Sequence, residues 1–248
     1  MIRLAIISDI HGNLPALQSV LEDIRRRAIN QIYCLGDLID FAPWGNEVID
    51  QIKTLGIPCL LGNHDERIAF DLEIRPLHHH NEEETAVRYL AINHSKATIT
   101  SVHKEFLAQL PYQLRLMYKV GAKQWNIQLV HASTRSNDEY VYEDHDEADL
   151  IEMLSQSDAD LLAMGHTHLS YRRKVTLPSG KVSTALNCGS VGRSKENDRK
   201  ATYAVITLTE EALETEIIKV DYPIAEVAKA IKESSIPDFY AEFLLKSK

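Results

Sequence analysis

No stretch of this chain reaches the roughly 18 consecutive apolar residues that a bilayer span needs, and the opening MIRLAIISD meets charge too soon for a secretory leader. Cysteine is scarce: Cys34, Cys59 and Cys188 form no CxxC pair, which removes a disulfide framework and a closed thiolate zinc site from consideration. Cys34 and Cys59 lie in the apolar runs QIYCL and IPCLL and read as small buried thiols. Aromatics make up only 7% of the residues, and positive charge is in deficit, with a formal net charge of −9. A basic nucleic-acid surface of the usual kind is thereby excluded. Repeats and low-complexity tracts are missing too. The expectation is a reduced, cytoplasmic protein without a membrane segment, and its 248 residues suffice for a substantial core.

What is present begins with an alternation. The β-branched run IRLAIIS is followed by LPALQSVLEDIRRRA, which places Leu14, Leu17, Leu21, Ile24 and Ala28 on one helical face. Asn13 can cap that helix, and Pro15 falls in the first turn, where a missing N–H costs nothing. The run QIYCL, the helical NEVIDQIKTL and the run IPCLL come next. Strand, helix, strand, helix, strand predicts right-handed crossovers and a mainly parallel sheet. Residues 71–110 change character: NEEETAVRYLAINH reads as a helix capped by Asn81 with Glu84 three residues on, and SVHKEFLAQL as a second one. This section reads as a helical insertion over the site, within a single domain spanning 1–248. A hairpin about Gly121, an acidic loop after Asp138, a helix around Leu150–Leu154, short strands and a helix after Pro223 complete the chain.

The polar residues gather where the strands stop. SDIHGN, GDLID, GNHDE, a lone His131 and GHTH follow five apolar runs, and loops at the carboxyl ends of parallel strands are where α/β proteins hold ligands. Together they offer Asp9, His11, Asp37, Asn63, His131, His166 and His168. Carboxylate, amide oxygen and imidazole without thiolate suit a hydrolytic metal site with open positions. Seven side chains exceed the needs of one ion and suit two sharing a carboxylate. Asp9 and His11 leave their strand at alternate positions, as do His166 and His168, so pleating can aim each pair the same way. Any single member has a plain structural explanation, such as a turn cap or a core histidine.

These motifs, in this order from Ile2 to about Tyr203, resemble the calcineurin-like metallophosphoesterases. SDIHGNLPAL, FAPWGNEV, GIPCLLGNHD and NCGSVG are similar to a diadenosine tetraphosphatase-like or YfcE-like phosphodiesterase branch, although Cys188 stands where that branch usually has proline. The resemblance implies an α/β fold, a four-layer α-β-β-α sandwich of two mixed sheets flanked by helices. It implies one divalent ion on Asp9, His11, Asp37 and His168 and another on Asp37, Asn63, His131 and His166. His64 is then expected beside the reacting phosphate, with Asp65 orienting it. The expected reaction is hydrolysis of phosphodiester or dinucleoside polyphosphate bonds by a metal-bridging hydroxide, with manganese favoured over iron or zinc. A phosphomonoesterase, a protein phosphatase and a non-catalytic scaffold of the same fold are the alternatives. A dinucleotide-binding fold is disfavoured because the first turn, SDIHGN, lacks the GxGxxG pattern.

Weaker signals surround this core. His79 and His80, in the tract LHHHNEEE, and Asn13 are candidate substrate contacts, and Arg67, Arg135 and Arg193 are loop residues able to grip a phosphate. The acidic loop after Asp138 disfavours long polyanions. The expected partner is a small phosphoester or nucleotide, with no long nucleic acid, no membrane and the oligomeric state left open.

Overall fold

The computed structural model describes residues 1–77 and 81–246. Strand β1 (Ile2–Ile7) leads into helix α1 (Leu14–Arg26), β2 (Gln31–Cys34), α2 (Gly45–Thr54) and a short α3 (Asn63–Ala69). Helices α4 (Glu82–Thr98) and α5 (Ser101–Ala108) precede the hairpin β3 (Gln113–Val120) and β4 (Lys123–Val130). Then come α6 (Glu147–Ser157), β5 (Leu161–Met164), β6 (Tyr171–Thr176), β7 (Val182–Asn187), β8 (Ala201–Leu208), β9 (Leu213–Val220), α7 (Ile224–Lys232) and α8 (Asp238–Leu245). Among the described residues no helix is long and apolar enough to cross a membrane.

Two mixed sheets result, of order β2-β1-β8-β9 and β3-β4-β5-β7-β6. The mainly parallel sheet expected from the first 65 residues is not formed. Only β1 and β2 run parallel in the first sheet, and β8 and β9 pair antiparallel beside them. The expected third strand, IPCLL, shrinks to a single bridge between Cys34 and Cys59. Pro58 accounts for part of this, since proline cannot donate to a ladder, although its carbonyl still accepts from Cys34 at 2.9 Å.

Strand alternation builds the layers. In β1, Leu4 and Ile6 face the second sheet, where they meet Ile127, Leu129, Leu161, Ala163 and Leu186. Ala5 and Ile7 face outward onto Leu17, Val20 and Ile24 of α1 and Val48, Ile49 and Ile52 of α2. The second sheet repeats the pattern, with Val130, Leu162, Met164 and Ala185 packed against Leu150, Met153 and Leu154 of α6. This is the expected α-β-β-α order, and each fully buried Leu or Ile contributes on the order of 1.5–3 kcal/mol. Local signals hold as well: Asn13 Oδ1 accepts from Ala16 N at 3.2 Å, and Asn81 and Glu84 form a reciprocal capping box at the start of α4. Helices α4 and α5 share the cores of other elements. Ile92 and Leu107 join the layer under α1 and α2, whereas Ala91 packs with Val227, Ile231, Tyr240 and Leu244 of α7 and α8.

Candidate metal centre

The ends of β1, β2, β4 and β5 and the start of α3 meet at one point between the sheets. Backbone bonds stitch the loops together: Asp9 N donates to Gly36 O at 3.0 Å, His11 N to Asp37 O at 2.9 Å and Gly165 N to His131 O at 2.8 Å. Close approach is required there. A Cβ on Gly62 would lie 2.2 Å from Asp37 N and Oδ1, and one on Gly165 would lie 2.5 Å from Asp9 Oδ2.

Strand pleating does not aim the ligands, contrary to the sequence-based expectation. Asp9, His11, Asp37, His166 and His168 all lie past the strand ends with φ of 54°, 51°, 55°, 63° and 61°. Non-glycine residues adopt this left-handed region at a cost on the order of 1–3 kcal/mol each, and such residues cluster at functional sites. Here the turns point paired side chains inward from loops, not from extended backbone.

All six acidic and imidazole members are buried, and they fall into two groups: Asp9 with His11 and His168, and Asp37 with His131 and His166. Within each group the candidate ligand atoms lie within 4.8 Å of one another. Asn63 Oδ1 lies 3.1 Å from His131 Nε2 and 3.2 Å from His166 Nδ1, so the amide belongs to the second group. Asp37 Oδ2 lies 3.7 Å from His11 Nε2 and 3.5 Å from His131 Nε2, between the two. The structure thus brings together all seven residues proposed from the sequence.

The surroundings fix which ring nitrogens face inward. Nδ1 of His11, His131 and His168 contacts the carbonyls of Ile39, Leu35 and Arg193 at 3.0, 2.9 and 2.7 Å. A carbonyl can only accept, so each Nδ1 carries a hydrogen and each Nε2 is the nitrogen turned to the cluster, the arrangement that metal-binding histidines use. In His11 and His168, whose charged forms burial disfavours, Nε2 presents a lone pair. His11 Nε2 and His168 Nε2 then oppose each other at 3.1 Å. Two lone pairs at that distance repel unless a proton or cation intervenes. Asp9 Oδ1, Asp37 Oδ2 and His166 Nε2 are buried without a hydrogen-bond partner, an expensive state for carboxylate oxygens. The donor set therefore fits hard-to-borderline divalent ions.

Burial and neighbouring charge perturb these groups strongly. Burial opposes ionisation of Asp37, but His131, His64 and His11 together hold its carboxyl well below the usual range. Burial likewise disfavours a charged His131, yet the Asp37 and Asp9 carboxylates raise it to about 10. His11 is lowered to about 4 and His166 to about 3, in both cases first by burial and then by a neighbouring imidazole.

Three sequence-based assignments need correction. His64 Nδ1 bonds Asp40 Oδ2 at 2.5 Å, whereas Asp65 accepts from Leu38 N at 2.9 Å and Gly62 N at 3.2 Å. Asp65 thus caps α3 and braces the loop after β2, and Asp40 orients the histidine. Asp40 is buried, with φ of 74° and a carboxyl raised by burial to about 6. Asn13 is fully buried, its amide nitrogen donating to Gly192 O at 2.9 Å while its oxygen caps α1, so it serves the loops and not a ligand. Arg135 lies in an ion-pair network with Glu139 and Asp149. Of the other arginines, Arg67 Nη1 approaches His64 Nδ1 at 3.3 Å, and Arg193 lines the cavity above the cluster. His79 and His80 lie outside the described residues.

That cavity, about 260 Å³, has Asp37, His64, His166 and His168 at its base. Phe41, Tyr140, Arg88, Lys195 and the α8 residues Phe239, Tyr240 and Phe243 form its walls. Arg193 completes that wall and is its one residue that the sequence marks as a phosphate contact. Asp40 carried a signal as the second acid of GDLID, but the aromatic wall depends on where α8 docks.

Residues 2–170 match the model of the calcineurin-like phosphoesterase family, and the chain belongs to that family. It is accordingly a hydrolase acting on phosphoester bonds. The chain is 29% identical over 253 residues to the uncharacterized protein MJ0912 of Methanocaldococcus jannaschii, covering 97% of this chain and 96% of that one. A metallophosphoesterase from Sphaerobacter thermophilus superposes with a TM-score of 0.76 at 25% identity, covering 100% of this chain and 99% of the other. The hypothetical protein PH1004 from Pyrococcus horikoshii OT3 has the same fold, with a TM-score of 0.80 at 22% identity and 98% of each chain covered.

Proposed function

We propose that this protein hydrolyses small phosphodiesters or dinucleoside polyphosphates with two divalent ions, manganese by preference. Asp9, His11, Asp37 and His168 hold one ion, and Asp37, Asn63, His131 and His166 hold the other. The observation that carries this reading is Asp37 Oδ2, buried and unpartnered between His11 Nε2 and His131 Nε2. When bound, such a pair supplies an activated water nucleophile and neutralises phosphoryl charge.

The chain's own residues do the rest. Asp37 Oδ1 accepts from His64 N at 2.8 Å, which ties the start of α3 to the shared carboxylate. Asp40 holds the His64 ring through Nδ1, leaving Nε2 toward the cavity as the nitrogen that hands a proton to the leaving oxygen. Phe41 packs beside both His11 and His64, with ring centroids 4.9 Å from each, and limits water at that wall. The cavity suits a compact ester and not an extended polymer. Three free, buried thiols support a reducing, cytoplasmic setting.

The test is metal content by mass spectrometry, followed by assay of manganese-loaded protein on bis(4-nitrophenyl) phosphate, 4-nitrophenyl phosphate and diadenosine tetraphosphate. Two ions per chain with turnover of the diester or the tetraphosphate is the expected result. Full metal occupancy with no turnover on any of the three points to a scaffold and overturns the reading.

A further inference from the structure

The cavity wall beside the metal cluster carries a second feature that the hydrolytic machinery does not use. Arg88, Arg193 and Lys195 all line it, and among the described residues none of the three forms an ion pair. The Arg193 guanidinium is boxed by rings, its Cζ 4.6 Å from the centroids of Phe41 and Phe243 and 5.4 Å from that of Tyr240. Its Nε is buried without a hydrogen-bond partner. Arg88 is 5% exposed and donates through Nη1 to Arg75 O at 2.9 Å, with no carboxylate among the described residues in direct contact and Asp40 acting on it only at longer range. Lys195 Nζ lies 5.7 Å from the Tyr140 ring. The acidic wall residue outside the cluster, Glu84, has its carboxylate tied to Asn81 N in the cap of α4.

Burying cations without a direct ion-pair partner is costly, and aromatic faces and the more distant Asp9 and Asp40 carboxylates recover only part of that cost. An anion in the cavity balances it. The rings also hold the Arg193 fork in place, which suits bidentate recognition of a phosphoryl group. Arg193 stands one ring back from the cluster: its Cζ lies 4.6 Å from the Phe41 centroid, and Phe41 in turn packs 4.9 Å from the rings of His11 and His64. Arg193 meets the cluster through its backbone, where its carbonyl accepts from His168 Nδ1, while its side chain turns to the α8 rings. We propose that Arg193, with Arg88 and Lys195, forms a subsite for a second phosphoryl group. The preferred substrate is then a compact ester carrying two phosphoryl groups, with its organic part against Phe239, Tyr240 and Phe243. This deepens the proposed function and rests on it for the identity of the reacting group.

The test compares thymidine 5′-(4-nitrophenyl phosphate) with its 3′-phosphorylated counterpart, using manganese-loaded protein. The expected kcat/KM is about tenfold or more higher for the 3′-phosphorylated ester, with the gain in KM. Arg193→Met should bring the ratio toward one, Lys195→Met should reduce it, and Arg193→Lys should keep part of it. An unmodified ratio in Arg193→Met, or equal loss on both esters, overturns the subsite. Calorimetry on the His64→Ala protein, comparing thymidine 3′,5′-bisphosphate with the 5′-monophosphate, reads the subsite without turnover. Tighter binding of the bisphosphate, abolished when Arg193→Met is added, upholds the subsite even if neither ester is cleaved. Equal affinities overturn it while leaving hydrolysis intact.

Discussion

Glu139, His145 and Asp149 gather on the acidic loop and α6 much as Asp37, His131 and His166 gather at the strand ends, with ligand atoms again within 4.8 Å of one another. The residue types are nearly the same, but the surroundings differ. On the loop the three are half-buried, and Arg135 bonds Asp149 Oδ1 at 2.6 Å and Glu139 Oε1 at 2.5 Å, while His145 Nε2 bonds Asp149 Oδ2 at 2.6 Å. Every charge there has a partner made of protein. Between the sheets no lysine or arginine enters either triad, and carboxylate oxygens are left buried without partners. Ligand types and spacing alone do not distinguish the two clusters. The missing arginine or lysine partner does.

The contrast can be broken or sharpened by substitution. Asp37→Asn removes the shared carboxylate and should cost both ions and on the order of a thousandfold in turnover, read by metal analysis and diester assay. His64→Ala should lower kcat about a hundredfold with two ions per chain retained; equal loss of both metals would place His64 among the ligands. Asp40→Asn should cost about tenfold, because the amide oxygen still accepts from Nδ1 and holds the ring. Gly165→Ala drives a Cβ to 2.5 Å from Asp9 Oδ2. It should release the ion on Asp9 and lower stability by about 1–3 kcal/mol, measured by denaturant titration. Smallest of all, Glu139→Gln should leave metal content and turnover alone and change stability by about 0.2–1 kcal/mol, as for a partly exposed ion pair.

The strand-end clusters were legible because each apolar run stops at a polar group, and order along the chain sufficed to collect Asp9, Asp37, Asn63, His131 and His166. The caps at Asn13 and Asn81 were legible for the same local reason. What escaped depends on contacts across the chain. Asp40 and Asp65 each stand near His64 in sequence or space, and only the left-handed turn at Asp40 decides which reaches the ring. The strand IPCLL looked like its neighbours by composition, yet it runs at the sheet margin as a single bridge. The wall built by α8 was hidden because DFYAEFLL is apolar on more than one face, and packing against Phe41 and α7 chooses the exposed side.

The contacts that assemble the centre span much of the chain: Asp9 meets His166, and His11 meets His168, each across 157 residues. Closing loops of that length is slow and entropically late. A nascent chain that has not yet emerged past β5 holds Asp9, His11, Asp37, Asn63 and His131 but neither His166 nor His168. Both clusters therefore stay open until the chain has run past β5 and the two sheets have docked, so their closure reports long-range assembly and not local folding.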